Sequence, residues 1–320
     1  VTLTFISPLA ALVGLLALVA LGALLRAERR SRRLCDVLGL PPRPWLALGP
    51  AIVAIVLAGT LLALAAAQPV VAKVRPRLGR TDAEALFVFD ISRSMLARPG
   101  PGEPTRFDRA RRSALDVRSR IQDVPAGVAS LTDRVLPQLF PSISSQAFAA
   151  TVTRSLGIER PPPDRFGRGR ATSLRALASL ATRNFFAPPA RRRVAVVYTD
   201  GESLPLDAGA LRAALESGNV RVLFVRVWRP EERILGSPRP RDASYRPDPT
   251  TGPELAALAR DLGSRVFEES QVDEIARAAR ERLGRGPTGP QGRDLQSREL
   301  APYAALAAFA PLAFLFWRRR

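Results

Sequence analysis

Histidine is absent from the 320-residue sequence, and cysteine occurs once. The first absence removes Ser-His and Cys-His nucleophile pairs and His-ligated zinc. The second excludes an internal disulfide and a thiolate zinc cluster. Cys35 follows Arg33 and Leu34 rather than the small residues expected before a lipidation cysteine, and it reads as an incidental free thiol. Lysine is nearly absent as well: Lys73 is the only one, so the net charge of +19 is almost wholly arginine. Arginine in place of lysine, with abundant Ala, Leu and Pro, matches a GC-rich bacterial genome. The charge raises nucleic acid as a ligand, but the arginines are spread along the whole chain, with no aromatic-interleaved basic stretch and no zinc module. A basic, solvated surface near acidic lipid or wall polymer is the expectation, with no nucleic acid.

The apolar fraction is 47% beside 24% charged residues, a mixture that predicts segregation into membrane segments and a soluble part. Ile6 to Leu25 is an uncharged run of twenty residues, about what a bilayer crossing needs. Ser7 and Pro8 suit an N-cap and a first helical turn. The basic residues that precede the apolar core of a cleaved signal peptide follow this run instead, which predicts a retained signal anchor. A second span is expected from Trp45 to Ala67, with Trp45 at an interface, and a third from Ala301 to Trp317, stopped by Arg318, Arg319 and Arg320. The connector between the first two spans carries Arg26, Arg29, Arg30, Arg32, Arg33 and Arg43 against Glu28 and Asp36. The excess of arginine places it and the arginine tail in the cytoplasm. The stretch between the second and third spans then lies outside, although Lys73, Arg75, Arg77 and Arg80 pull the other way.

Between the membrane segments, strand and helix patterns alternate. Leu86-Phe87-Val88-Phe89 and Val194-Ala195-Val196-Val197-Tyr198 are continuous apolar runs, as expected for strands buried on both faces. Val128 to Leu131 and Val222 to Val227 read as further strands. Phe107, Ala110, Ala114, Val117 and Ile121 recur at helical spacing. So do Leu174, Leu177 and Leu180; Leu211 and Leu215; Leu255, Leu258 and Leu262 after Pro253; and Val272, Ile275, Ala279 and Leu283. The fold class predicted is α/β, a doubly wound, mostly parallel, Rossmann-like sheet with three transmembrane helices, two N-terminal and one C-terminal. Arg160 to Arg170 and Pro230 to Pro253 read as surface loops, and Gly284 to Arg298 as a flexible tether.

The first buried strand ends at Asp90, with Ser92 and Ser94 at alternate positions beyond it. In an open parallel sheet, ligands gather where strands end and helices begin. A carboxylate and two hydroxyls are hard oxygen donors suited to Mg²⁺, with Mn²⁺ or Ca²⁺ tolerated. The second buried strand delivers Asp200 to the same edge, and Gly201 lets the backbone turn there. Asp-x-Ser-x-Ser alone is a weak motif. Paired with Thr199-Asp200-Gly201 on a second strand, it is a strong one.

In these residues the sequence resembles the von Willebrand factor A (vWA) family and its metal-ion-dependent adhesion site, over about residues 80 to 284. The resemblance implies a divalent metal held directly by Ser92 and Ser94, with Asp90 and Asp200 acting largely through water. It also implies a threonine from an intervening loop. Thr172 fits best because it opens a helix before the second strand, though Ala171 stands where the family usually has glycine; Thr132 is the alternative. A carboxylate from a protein partner would complete the metal. Two N-terminal spans, a vWA domain and one C-terminal span resemble the bacterial aerotolerance-operon (Bat) proteins, as do Phe5-Ile6-Ser7-Pro8-Leu9 and Arg106-Phe107-Asp108-Arg109-Ala110. That resemblance implies a multi-pass protein of the cytoplasmic membrane working with a MoxR-type AAA+ ATPase and a DUF58 protein in envelope assembly or stress tolerance. The organisation expected is 1–70 for two spans (6–25 and 45–67) and their connector, 80–284 for the vWA domain, 285–300 for a linker, 301–317 for the last span and 318–320 for a basic tail.

Other readings of the same residues predict different outcomes. Asp90 and the serines could form only an N-cap and turn, but Asp200 recurs at the matching place. A haloacid-dehalogenase-like phosphohydrolase also places an Asp after a buried strand. It wants a second acid where this chain has Ser92, and a later lysine that this chain lacks. A passive scaffold with a degenerate metal site is the remaining alternative. The expectation is a binding protein, not an enzyme.

Overall fold

The computed structural model describes residues 2–39, 41, 44, 48–162, 172–237 and 239–318. Trp45, Arg43, Ala171 and the tail beyond Arg318 lie outside them. The strands among the described residues are β1 (Thr2–Phe5), β2 (Pro69–Arg80), β3 (Ala83–Asp90), β4 (Ala126–Leu131), β5 (Val135–Ser142), β6 (Arg192–Thr199), β7 (Val220–Arg226), β8 (Val266–Glu268) and β9 (Thr288–Glu299). The chain divides into two compact units, residues 76–292 and the two ends that flank them.

The larger unit is built on a six-stranded sheet of order β5-β4-β3-β6-β7-β8. Five strands run parallel, and β5 closes one edge antiparallel to β4. The apolar runs of β3 and β6 are buried on both faces, as their composition requires. Alternation sorts them: Phe87 and Phe89 join one core layer, Leu86 and Val88 the other. Helix Arg106–Arg120 brings Phe107, Ala110, Ala114 and Val117 to the first layer, and helix Val272–Leu283 adds Ile275 and Ala279. The opposite layer takes Leu174, Leu177 and Leu180, then Leu211 and Leu215 of Ala208–Ser217, then Leu255 and Leu258 of Thr251–Asp261. Helices thus cover both faces, and the sheet is doubly wound.

Helix Arg106–Arg120 starts at a capping box. The Thr105 hydroxyl accepts from the Asp108 N–H at 3.0 Å, and Asp108 accepts from the Thr105 N–H at 3.2 Å. The parallel register pairs Phe89 with Tyr198, so Asp90 and Thr199 leave the sheet side by side.

Two segments differ from the sequence expectation. Strand β5 has no apolar alternation to announce it. It contains Pro137 and Pro141 and lies at a sheet edge, where a missing N–H costs no ladder bond. Residues 288–299 are not an irregular tether: β9 belongs to a three-stranded sheet of order β1-β2-β9. Gly and Pro composition signals flexibility only where no neighbouring strand takes up the backbone.

The smaller unit contains three apolar helices. Pro8–Val37 is continuous for 30 residues, so it runs on past Leu25 through the arginine cluster. Gly49–Ala66 has 18 residues. These two are long and apolar enough to cross a membrane; Ala301–Trp317 is shorter. Small residues face inward: Ala51, Ala54 and Ala58 on one helix, and Ala304 and Ala308 on another, are buried. A Cβ added to Gly14 would sit 2.7 Å from the Ala63 Cβ, so glycine there permits close helix approach.

Candidate metal site

The site is assembled from the ends of β3 and β6 and one loop from between them. Past Asp90 the chain is fixed by Ile91 and Met95, both buried in the core, and by the Ile91 N–H donating to the Leu131 carbonyl at 3.0 Å. Asp90 Oδ1 accepts the Ser92 N–H at 2.9 Å, which folds the loop back on its own strand. A short 3₁₀ turn, Arg93–Leu96, follows. It leaves the hydroxyls of Ser92 and Ser94 side by side, 3.0 Å apart.

Thr172 is wholly buried, and its hydroxyl donates to Asp90 Oδ1 at 3.0 Å. It pairs with Ser203 in a parallel bridge, and its carbonyl accepts the Leu204 N–H at 2.9 Å, which ties it to the loop after β6. Thr132 lies nearby, but its hydroxyl bonds Asp133 at 3.1 Å and not Asp90. Of the two threonines raised by the sequence, Thr172 is the one brought to Asp90. Thr199, not singled out as a site residue, donates to Asp90 Oδ2 at 2.8 Å. Asp200 follows at once, its Oδ1 accepting the Glu202 N–H at 3.0 Å. Gly201 makes this turn with φ +86°, and a Cβ there would meet Thr251 at 3.2 Å.

Asp90 and Asp200 are both fully buried. Burial first, and the Asp200 charge second, push the Asp90 carboxyl up to about 7 against the lowering effect of the Ser92 and Thr199 hydrogen bonds. Glu202 is pushed up to about 7 by the same two causes in the same order. The Asp90 carboxyl, buried and bonded only to neutral donors, lies beside three hydroxyls, a donor set that fits a hard divalent cation. Every oxygen of Asp90 and Asp200 already accepts a protein hydrogen bond, so the carboxylates fit supporting positions, with Ser92, Ser94 and Thr172 as the available direct donors. Among the described residues no cluster of three or more His, Cys, Asp or Glu offers a different metal site.

Sequence reasoning missed what lies behind Asp200. The guanidinium of Arg106, itself wholly buried, donates to Asp200 Oδ2 at 2.8 Å, to the Tyr245 hydroxyl at 2.8 Å and to Glu232 at 2.5 Å. Burial alone would lower its pKa; the neighbouring carboxylates of Asp200 and Glu232 override that and raise it. Tyr245 in turn donates to Glu202. Glu232, also wholly buried, accepts a second guanidinium from Arg109 at 2.6 Å. Arg93, between the two serines, pairs with Asp242 and with Glu159 at 3.3 Å. Glu232, Asp242 and Tyr245 all come from the stretch read as a structureless surface insertion. The only available signal was that this arginine-rich stretch also contains acids and an aromatic. Their arginine partners lie more than a hundred residues away, at separations such as 126 for Arg106 and Glu232, which no local pattern can reveal.

No family model matches the sequence, and no curated protein matches it either. Solved structures do match. An aerotolerance-related membrane protein from Bacteroides fragilis aligns over 63% of this chain and 98% of its own, with TM-score 0.50 and 20% identity. BatB from Bacteroides thetaiotaomicron aligns over 62% of this chain and 98% of its own, with TM-score 0.50 and 22% identity. At such identity the likeness is one of fold. The fold is that of a vWA-like α/β domain. Within that class its fold is similar to those of the two Bat-related proteins.

Proposed function

We propose that the chain is a membrane-anchored vWA domain that binds a divalent cation, Mg²⁺ or else Mn²⁺ or Ca²⁺, and uses it to hold an acidic residue of a protein partner. The observation that carries this reading is the convergence on Asp90. Ser92, Thr172 and Thr199, from three separate segments, all bond its carboxylate, and the Ser92 and Ser94 hydroxyls lie together beside it. Ser92, Ser94 and Thr172 would hold the metal; Asp90 and Asp200 would orient these hydroxyls and balance its charge. When bound, the metal supplies a Lewis-acidic point for an incoming carboxylate.

Binding without catalysis agrees with the same geometry. A phosphohydrolase needs Asp90 as a free nucleophile, and here both its oxygens are occupied in a buried setting. No histidine or soluble-domain lysine stands in as a base. A passive scaffold remains the competing reading, and it predicts indifference to chelation.

Three membrane spans are part of the proposal. Ala301–Trp317 buries Ala304, Ala308 and Pro311 and exposes Tyr303, Leu306, Phe309, Phe316 and Trp317, the arrangement of a helix whose outer face meets lipid. The Ile6 N–H bonds the Gln68 carbonyl at 3.3 Å, and the Leu300 N–H bonds that of Pro69 at 2.9 Å. The beginning of the first helix, the end of the second and the beginning of the last are thus tied at one end. Arg26 to Arg33 and Arg318 fall toward the other ends, which the positive-inside rule puts in the cytoplasm. Arg80, an apparent counter-argument, is buried and taken up by Asp82 at 2.8 Å and the Gly284 carbonyl at 2.6 Å, so its place is structural. The vWA domain would then face outward from the cytoplasmic membrane. With it we propose a role in envelope assembly or stress tolerance beside a MoxR-type ATPase and a DUF58 protein, as the resemblance of the sequence to the Bat proteins implies. In cross-linked membranes, adducts of the wild-type chain should form in Mg²⁺ and disappear with chelator or in Ser92→Ala. Adducts indifferent to both would favour the passive scaffold.

A further inference from the structure

Beside the candidate metal site opens a cleft of about 560 Å³ whose lining runs from Asp133, Arg134, Ser173 and Leu204 at the strand ends along the 174–182 helical segment, past Arg175, to Arg183. It shares a wall with the site. Ser173 directly follows Thr172 and donates its N–H to the Thr132 carbonyl at 2.8 Å, while the Leu204 N–H donates to the Thr172 carbonyl at 2.9 Å. The charge in this cleft is one-sided. Its single acid, Asp133, already accepts the Thr132 hydroxyl at 3.1 Å and lies 4.0 Å from Arg134. Arg175 and Arg183 are exposed, and among the described residues their guanidiniums have no hydrogen-bond or ion-pair partner. Unmatched guanidiniums on a concave wall concentrate positive potential and suit bidentate capture of carboxylates.

We propose that this cleft is a second anchoring point for the partner, which therefore presents an acidic segment with several carboxylates rather than one. One carboxylate completes the metal and its neighbours along the segment pair with Arg175 and Arg183. The first contact rests on the metal reading above; the second does not.

The test uses the full chain in detergent and two short fluorescent peptides, one with a single aspartate and one in which further acidic residues flank it. In Mg²⁺ the multi-acidic peptide should bind more tightly. Arg175→Gln/Arg183→Gln should cut that advantage by about tenfold or more while leaving the single-aspartate peptide and the Mg²⁺-induced thermal shift unchanged. With chelator, overall affinity should fall, yet the double variant should still discriminate less between the peptides than wild type. If chelation alone changes nothing but that discrimination persists, the cleft stands and the metal reading fails. Equal binding of the two peptides to wild type, equal loss of both in the double variant, or equally tight capture of an oligonucleotide of matching charge would overturn the cleft proposal.

Discussion

The Arg106 guanidinium donates to Asp200 Oδ2 at 2.8 Å, and both side chains are wholly buried. A buried carboxylate holding no other cation would be costly, and Arg106 offsets it while also compensating Glu232. Arg106→Met should therefore strip compensation from two buried acids at once. The expected loss is about 3–5 kcal/mol of stability, seen as a large fall in the thermal unfolding midpoint of the purified chain. Arg106→Lys keeps the charge but not the planar fork and should fall between wild type and Arg106→Met.

The raised Asp90 pKa has a definite sign. In the metal-free protein this carboxyl holds its proton up to about 7 when folded, against an ordinary 3.8. Its contribution to stability is present below 3.8 and lost as the pH rises through the folded value. Melting temperatures in chelator should consequently fall between about pH 4 and about pH 7, and Asp90→Asn should flatten that slope. Stabilisation by Mg²⁺ should grow over the same window, because a cation and a proton compete for the same buried charge.

Thr172 and Thr132 are separated by their partners. Thr172→Ala removes a hydroxyl bonded to Asp90 and should weaken Mn²⁺ binding by about tenfold or more, ~1.4 kcal/mol. Thr132→Ala removes a hydroxyl bonded to Asp133 and should leave the affinity unchanged. Metal titration of the two variants reads the difference directly.

Cys35 reports the topology, being the only thiol, partly exposed and beyond the arginine cluster of the first helix. A membrane-impermeant maleimide should fail to label it in intact cells and should label it after permeabilisation. Ready labelling of intact cells would place the vWA domain in the cytoplasm.

The parts of the fold legible in the sequence were those written in local pattern. Leu86 to Phe89 and Val194 to Tyr198 announced the two central strands, because burial on both faces demands an unbroken apolar run. Asp90, Ser92, Ser94 and Asp200 were legible from their places at the ends of those strands, and Thr172 through the vWA resemblance. What escaped depended on partners distant in sequence. Strand β5 looks irregular because an edge tolerates its prolines, and β9 becomes a strand only by pairing. Arg106, Glu232 and Tyr245 have nothing local to mark them; only the folded chain brings the insertion against the back of Asp200.

The Asp90 loop and its neighbours are proposed to hold a divalent cation. Calorimetric titration of Mg²⁺ into the purified, metal-stripped full chain tests this most directly. The account predicts one saturable site, lost in Ser92→Ala/Ser94→Ala, with a circular dichroism spectrum unchanged by the substitutions. Absence of binding to the wild type, or binding that survives the loss of both hydroxyls, would contradict it.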